Sequence, residues 1–262
     1  MNFKLKHLPD RTKRPRKNGL TMVMDKGLGL RSAEDLVQSS GNFIDLIKLG
    51  FGSSIITDSL NEKIKIYQQA GIKVYFGGTL LEAFLVRKQL NEFIKTVHKF
   101  NVDLVEVSDG SISMPHEEKC EIIYKLSKEI KVISEVGSKE EGIIIRPNMW
   151  IEMMISELEA GSWKVIAEAR ESGTVGIYRP SGKAHVMLIN KIINKVDPEN
   201  IIWESPKKPQ QVYMIKTFGP NVNLGNIAPD EVIALESLRL GLRSDTFFDF
   251  IQDKENLQYK PE

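Results

Sequence analysis

The chain has 262 residues, 41% hydrophobic and 27% charged, with 36 Lys and Arg against 35 Asp and Glu for a formal net charge of +1. That is enough sequence for one globular unit with a full core, and no apolar run approaches the roughly 20 residues that cross a bilayer, so no membrane partner is expected. The balanced charge excludes a global field as the means of holding anions, and a lone cysteine, Cys120, excludes an intrachain disulfide; with no apolar signal core at the N-terminus, a reducing cytoplasm is the expected location.

Residues 1–20 form a basic arm, densest over residues 11–17 (RTKRPRK). No aromatic residues interleave with these charges, which argues against nucleic acid as a partner. From residue 21 to 247, eight short β-branched apolar runs each carry a charged residue or glycine at or near the end, and each is followed by a helix-like stretch. The runs are 21–27 (TMVMDKG), 43–52 (FIDLIKLGFG), 72–78 (IKVYFGG), 102–110 (VDLVEVSDG), 131–137 (KVISEVG), 163–170 (WKVIAEAR), 201–206 (IIWESP) and 222–228 (VNLGNIA). The rhythm predicts an α/β fold, a single eight-stranded parallel (β/α)8 TIM barrel, whose strands are covered on both faces and so read as apolar rather than alternating. The basic arm is then expected to stay solvated or to close the barrel floor, and residues 248–262 to form a polar tail.

Between the strands, helices are predicted over 32–39, 58–70, 80–100, 116–129, 149–160, 183–195, 209–218 and 230–240. Gly71 and Gly161 supply left-handed stops, and Asp58 and the Pro229-Asp230 pair supply helix starts. Cys120 falls inside the fourth of these helices and reads as a packed thiol with no chemistry. The loops at 138–147 and 171–183 are longer than the rest and are expected over the mouth, the end of the barrel where the strands finish.

Strand ends carry the charge. In this architecture Asp25, Lys26, Lys48, Glu106, Asp109, Glu135, Glu168, Arg170 and Glu204 converge at the mouth, where the carboxyl ends of the strands and their loops build active sites. A dinucleotide reading of Gly27-Leu28-Gly29 fails at Ser32, where the third glycine is missing, and four scattered histidines give no zinc spacing. Glu106, Glu135 and Glu168, on three successive strands, could surround one hard divalent cation such as Mg²⁺; the structural alternative is a charge network with Lys26, Lys48 and Arg170. Further cations are Arg179 in the sixth loop and Arg239 and Arg243 in the run 238–245 (LRLGLRSD). Guanidinium forks suit phosphate and carboxylate, so the substrate should be an anion.

Several segments, in order, resemble the phosphosulfolactate synthase family: 25–28 (DKGL), 48–52 (KLGFG), 71–80 (GIKVYFGGTL), 105–111 (VEVSDGS), 135–137 (EVG), 168–173 (EARESG), 210–211 (QQ), 222–233 (VNLGNIAPDEVI) and 238–247 (LRLGLRSDTF). The resemblance runs from about residue 21 to 247. It implies a Mg²⁺-dependent barrel enzyme, a carbon–sulfur lyase that adds sulfite to carbon 3 of phosphoenolpyruvate and delivers a proton to carbon 2, giving (2R)-2-phospho-3-sulfolactate. On that reading Glu106, Glu135 and Glu168 hold the metal, Lys26 or Lys48 with a lowered pKa supplies the proton, and Arg170, Arg179, Arg239, Arg243 and Asn223 bind the substrate anions. Members of the family often carry lysine directly after the EVG segment, whereas here Ser138 stands there and Lys139 follows, which makes Lys139 a third proton-donor candidate. The resemblance also implies a homo-oligomer. Two other readings stand beside it: a stress-related interaction protein on the same barrel, a role suspected for plant relatives, and an enzyme forming an enolate from a different phosphorylated acid.

Overall fold

The computed structural model describes residues 3–137 and 145–251. Eight strands pair in parallel and in chain order to close a barrel: β1 (Thr21–Asp25), β2 (Leu46–Leu49), β3 (Lys73–Phe76), β4 (Leu104–Val107), β5 (Lys131–Val136), β6 (Ser162–Ala167), β7 (Ile201–Glu204) and β8 (Leu224–Ile227). Each of the eight apolar runs supplies one strand. The outer layer is α1 (Leu30–Ser40), α2 (Leu60–Gln69), α3 (Gly78–Leu85), α4 (Leu90–Phe100), α5 (His116–Ser127), α6 (Pro147–Glu159), α7 (Val186–Ile193), α8 (Lys208–Phe218) and α9 (Val232–Arg239).

One helix differs from expectation. The stretch 80–100 is two helices, α3 and α4, because the chain reverses between them: Lys88 adopts a φ of 57° and the Gln89 amide returns to Phe84 O at 2.9 Å. The break lets Phe84 pack edge-on against Phe93, centroids 5.6 Å apart. No described helix is long and apolar enough to cross a membrane.

Strand alternation sorts the barrel interior into layers. The central layer is Met22, Leu46, Tyr75, Leu104, Ile133, Ile166 and Ile202, one residue from each of the first seven strands. β8 contributes Gly225, and only glycine fits: a Cβ there would stand 2.6 Å from Met22 Cε and 3.0 Å from Ile202 Cγ2. Two residues further along the same strands come Met24, Lys48, Gly77, Glu106, Glu135, Glu168 and Glu204. The side chain that follows an apolar inner residue by two is therefore the one that faces the mouth, and in five of these seven it is charged. Residues of opposite parity, such as Val23, Ile47, Val74, Val105 and Val165, pack against the helices in the larger core.

The other end of the barrel is covered by the basic arm. Arg11 donates to Glu236 Oε1 at 2.9 Å and Pro220 O at 3.0 Å, Arg14 to Gly41 O at 2.8 Å, and Arg16 to Asp45 Oδ1 at 3.1 Å. These arginines are committed to the segments at the starts of the strands.

Candidate active site

Lys48 is the centre of the mouth. It is buried, and its Nζ lies 2.9 Å from Glu106 Oε1, 3.3 Å from Glu135 Oε2 and 3.7 Å from Glu204 Oε1. Burial alone would lower its pKa, but the attraction of Glu106, then Glu135 and Glu204, outweighs that and holds it well above the ordinary lysine value. The expectation of a lysine with a lowered pKa is corrected for this residue: three carboxylates surround it, so it stays an ammonium at neutral pH. Tyr75, directly beneath, feels the same cluster; burial and Glu106 push its phenol well above its usual pKa.

Backbone donors fix the carboxylates. The Gly78 amide donates to Glu106 Oε1 at 2.8 Å, the Ala169 amide to Glu204 Oε2 at 2.9 Å, and the Arg170 amide to Glu168 Oε1. Gly78 must be glycine, since a Cβ would meet Ser108 Oγ at 2.1 Å and Glu106 Oε1 at 3.0 Å. Glu135, Glu168 and Glu204, all buried, each offer an oxygen, and these three oxygens lie within 4.8 Å of one another. Glu204 Oε1 accepts no hydrogen bond, and burial raises the Glu204 pKa to about 7 against the pull of Lys48. Three hard oxygen donors that close, one of them held in an environment unfavourable to its charge, suit a divalent cation such as Mg²⁺.

A second tier of buried ions holds the loops that carry these groups. Asp25, at the end of β1, accepts from the Gly27 and Leu28 amides at 2.8 Å each, from Tyr67 Oη at 3.0 Å, and pairs with Lys63 at 3.0 Å. Glu82 accepts from the Gly110 and Ser111 amides at 3.1 and 2.9 Å and from Ser108 Oγ, which fixes the loop after β4. Lys119, fully buried on α5, pairs with Asp109 at 2.9 Å and Glu157 at 2.8 Å and donates to Glu135 O at 2.6 Å. Asp25 and Asp109, read from sequence as converging charges, are thus loop anchors.

The remaining sequence candidates divide by location. Lys26, on the rim, forms an ion pair with Glu171 from the loop after β6, and both side chains are about half exposed. Arg170, with a φ of 54°, and Arg179 are exposed on the sixth loop, and neither guanidinium makes a hydrogen bond or ion pair among the described residues. Lys139 lies outside the described residues. Asn223 and Arg239 are corrections. Asn223 precedes β8, accepts from the Leu20 amide at 3.1 Å and donates to Glu199 O and Ile201 O at 2.9 and 3.0 Å, all at the starts of strands. Arg239, fully buried at the end of α9, donates to Val222 O at 2.7 Å and Leu20 O at 3.1 Å. Burial and the nearby Arg11 lower its pKa to about 9, leaving it charged at neutral pH. Both residues lock the floor, the end opposite the mouth. Arg243 stands four residues past α9, in a turn tied to that helix by Thr246 Oγ1 on Leu238 O at 2.7 Å, and is not brought to the carboxylate cluster. Glu204, absent from the expected metal set, belongs to the compact trio, whereas Glu106 is turned to Lys48 and the Gly78 amide. Cys120 is half-buried on α5, and burial pushes its thiol pKa up.

A closed parallel barrel whose mouth gathers a buried lysine and buried carboxylates defines an enzyme frame for small polar molecules. The (2R)-phospho-3-sulfolactate synthase (ComA) family model matches residues 9–245, and the chain belongs to that family. It is 42% identical over 244 residues to a phosphosulfolactate synthase of Bacillus subtilis, covering 92% of this chain and 97% of that one. It is 40% identical over 244 residues to that of Methanothermobacter thermautotrophicus, covering 91% and 95%. A solved 3-hexulose-6-phosphate synthase of Salmonella typhimurium shares the fold, with a TM-score of 0.56 at 11% identity over 86% of this chain and all of that one.

Proposed function

We propose that this chain is a Mg²⁺-dependent phosphosulfolactate synthase, a carbon–sulfur lyase that joins sulfite to phosphoenolpyruvate to give (2R)-2-phospho-3-sulfolactate. The observation that carries the reading is Lys48, set within 2.9 to 3.7 Å of three buried carboxylates at the mouth of a barrel of this family. Glu135, Glu168 and Glu204 would hold Mg²⁺, which when bound supplies positive charge for a substrate carboxylate.

The physical difficulty is charge, because the substrates are both anions and the electrons that move end near the carboxylate. The sulfite sulfur lone pair forms the bond to carbon 3, the double-bond pair moves toward carbon 2 and its carboxylate, and a proton then reaches carbon 2. Lys48 is an ammonium at neutral pH, so it has a proton to give to a carbon that is far more basic; the Glu106 contact and the Gly78 amide behind it fix its aim. Lys26, paired with Glu171 on the rim, and Lys139 are the competing donors. Arg170 and Arg179 stand open to hold phosphate and sulfite. We place the enzyme in the cytoplasm as an assembly of like subunits, which light scattering on the purified protein checks.

The test mixes the purified protein with phosphoenolpyruvate, sulfite and Mg²⁺ and follows phosphosulfolactate by mass spectrometry. Product from the wild type and none from K48M supports the reading. A K48M variant that keeps wild-type turnover moves the proton to another lysine, and a folded wild type with no product contradicts the function.

A further inference from the structure

At the other end of the barrel the charge pattern is inverted. β5 and β6 slip in register between Val132 and Ile133, and at this slip Trp163 packs beneath the central apolar layer. Lys73 opens β3 and Lys131 opens β5; both share the inward parity of Tyr75 and Ile133. Lys164 follows Trp163 on β6. Their ammonium groups lie 5.8, 4.6 and 5.0 Å from the Trp163 ring centroid.

Of the three only Lys164 is buried, Lys73 being half-buried and Lys131 exposed, and they are partnered unlike the buried lysines elsewhere in the barrel. Lys48, Lys63 and Lys119 each pair with at least one carboxylate. Among the described residues none of Lys73, Lys131 and Lys164 forms an ion pair, and the polar contact of Lys164 is a neutral one, to Glu199 O at the start of β7. Burial and then the direct approach of Lys73 lower the Lys131 pKa. Burial also lowers that of Lys164, with Glu199 and Asp197 opposing and Lys131 adding to the shift. One indole face attracts cations but cannot neutralise three that repel one another. The basic arm brings Arg14 and Arg16 to the same end, where Arg16 is already paired with Asp45.

We propose that the barrel floor around Trp163 is a binding site for a small oxyanion carrying two or more negative charges, of the inorganic phosphate or sulfate class, held between Lys73, Lys131 and Lys164. Three ammonium groups offer several N–H donors to one compact tetrahedral ion, and its charge relieves the repulsion between Lys73 and Lys131. Lys131 is exposed, so the ion enters from solvent. The site is separated from the mouth by the length of the strands, about 13 Å for four residues, and does not depend on the proposed reaction.

The test is calorimetric titration of the full chain with sodium sulfate, and separately with inorganic phosphate, against sodium chloride of equal ionic strength. Saturable sulfate binding is expected in the wild type, retained in the mouth variant R170M/R179M and weakened at least tenfold in the double variant K73M/K131M, with circular dichroism showing all three folded. Binding that survives in K73M/K131M, that is lost in R170M/R179M instead, or that chloride reproduces at equal ionic strength overturns the proposal. Heat from a long polyphosphate with none from sulfate or phosphate also overturns it, in favour of an extended polyanion. If K73M/K131M does not fold, K131M, which keeps an unbranched stem of similar length and removes one charge, serves in its place with the same criteria.

Discussion

The two ends of the barrel are built on one set of strands, yet they handle charge in opposite ways. At the mouth, a lysine on β2 is wrapped by carboxylates from β4, β5 and β7, and those oxygens are aimed by backbone amides. At the floor, lysines from β3, β5 and β6 gather on one indole ring with no carboxylate in ion-pair range among the described residues, while Arg239 and Asn223 use their hydrogen bonds on strand-start backbone. The difference shows that a buried charge in a barrel cannot be assigned to chemistry by residue type alone. Its height along the strand, and whether its partners are side chains or carbonyls, decide.

The comparison can be broken most forcefully at the mouth. K48M should lower kcat/KM by about a thousandfold or more while the protein stays folded, since it removes the ammonium proposed as the proton donor; residual activity within tenfold of wild type would remove Lys48 from the chemistry. At the floor the opposite signature is expected. R239M leaves strand-start carbonyls without their donor and should cost about 3 kcal/mol of stability in urea unfolding, with KM for both substrates unchanged. A KM change without a stability loss would return Arg239 to the substrate.

Protonation sharpens the same contrast. In metal-free protein Glu204 has a folded pKa of about 7 against an ordinary 4.5, so the folded state holds its proton where the unfolded state has lost it. Stability from this group is therefore whole below pH 4.5 and falls as the pH rises through 7, by up to about 3 kcal/mol. Urea unfolding in chelator at pH 5 and pH 7.5 should show a drop in the wild type that is absent in E204Q; equal drops in both would place the titration elsewhere. The smallest effect belongs to the floor lysines. K131M trades a ring contact for relief from Lys73 and should change stability by no more than about 0.5 kcal/mol, and a loss above 1 kcal/mol would mean that the lysine cluster is a structural fastening.

Much of this was legible in the sequence because covered parallel strands must be apolar and β-branched, so the eight runs stand out, and because the charge that follows an inner apolar residue by two falls in the mouth. From sequence Lys48, Glu106, Glu135 and Glu168 read as strand-end charges, and the two-residue spacing seen in the structure is why they face the mouth. Glu204 is visible as a strand-end charge, but a set drawn from the fourth to sixth strands leaves it out, although β7 pairs with β6 in chain order. Asn223 and Arg239, expected at the substrate, lie at the floor, and chain direction places them there: a residue ahead of a strand, or at the end of the helix that follows one, lies at that end. The break between α3 and α4 has no such signal, since residues 86–89 (VRKQ) contain neither glycine nor proline and the turn is set by the Phe84–Phe93 packing. The direction of the Lys48 pKa depended on three carboxylate distances that no spacing reveals.

The most direct measurement is phosphosulfolactate formation from phosphoenolpyruvate and sulfite, with Mg²⁺ and with chelator, in the wild type and in E204Q. Magnesium-dependent product in the wild type, with turnover in E204Q reduced at least a hundredfold and a raised Mg²⁺ requirement, is the expected result. Turnover in E204Q equal to wild type at every Mg²⁺ concentration, or product that chelator does not suppress, would contradict the claim that the Glu135, Glu168 and Glu204 oxygens are the working centre of this mouth.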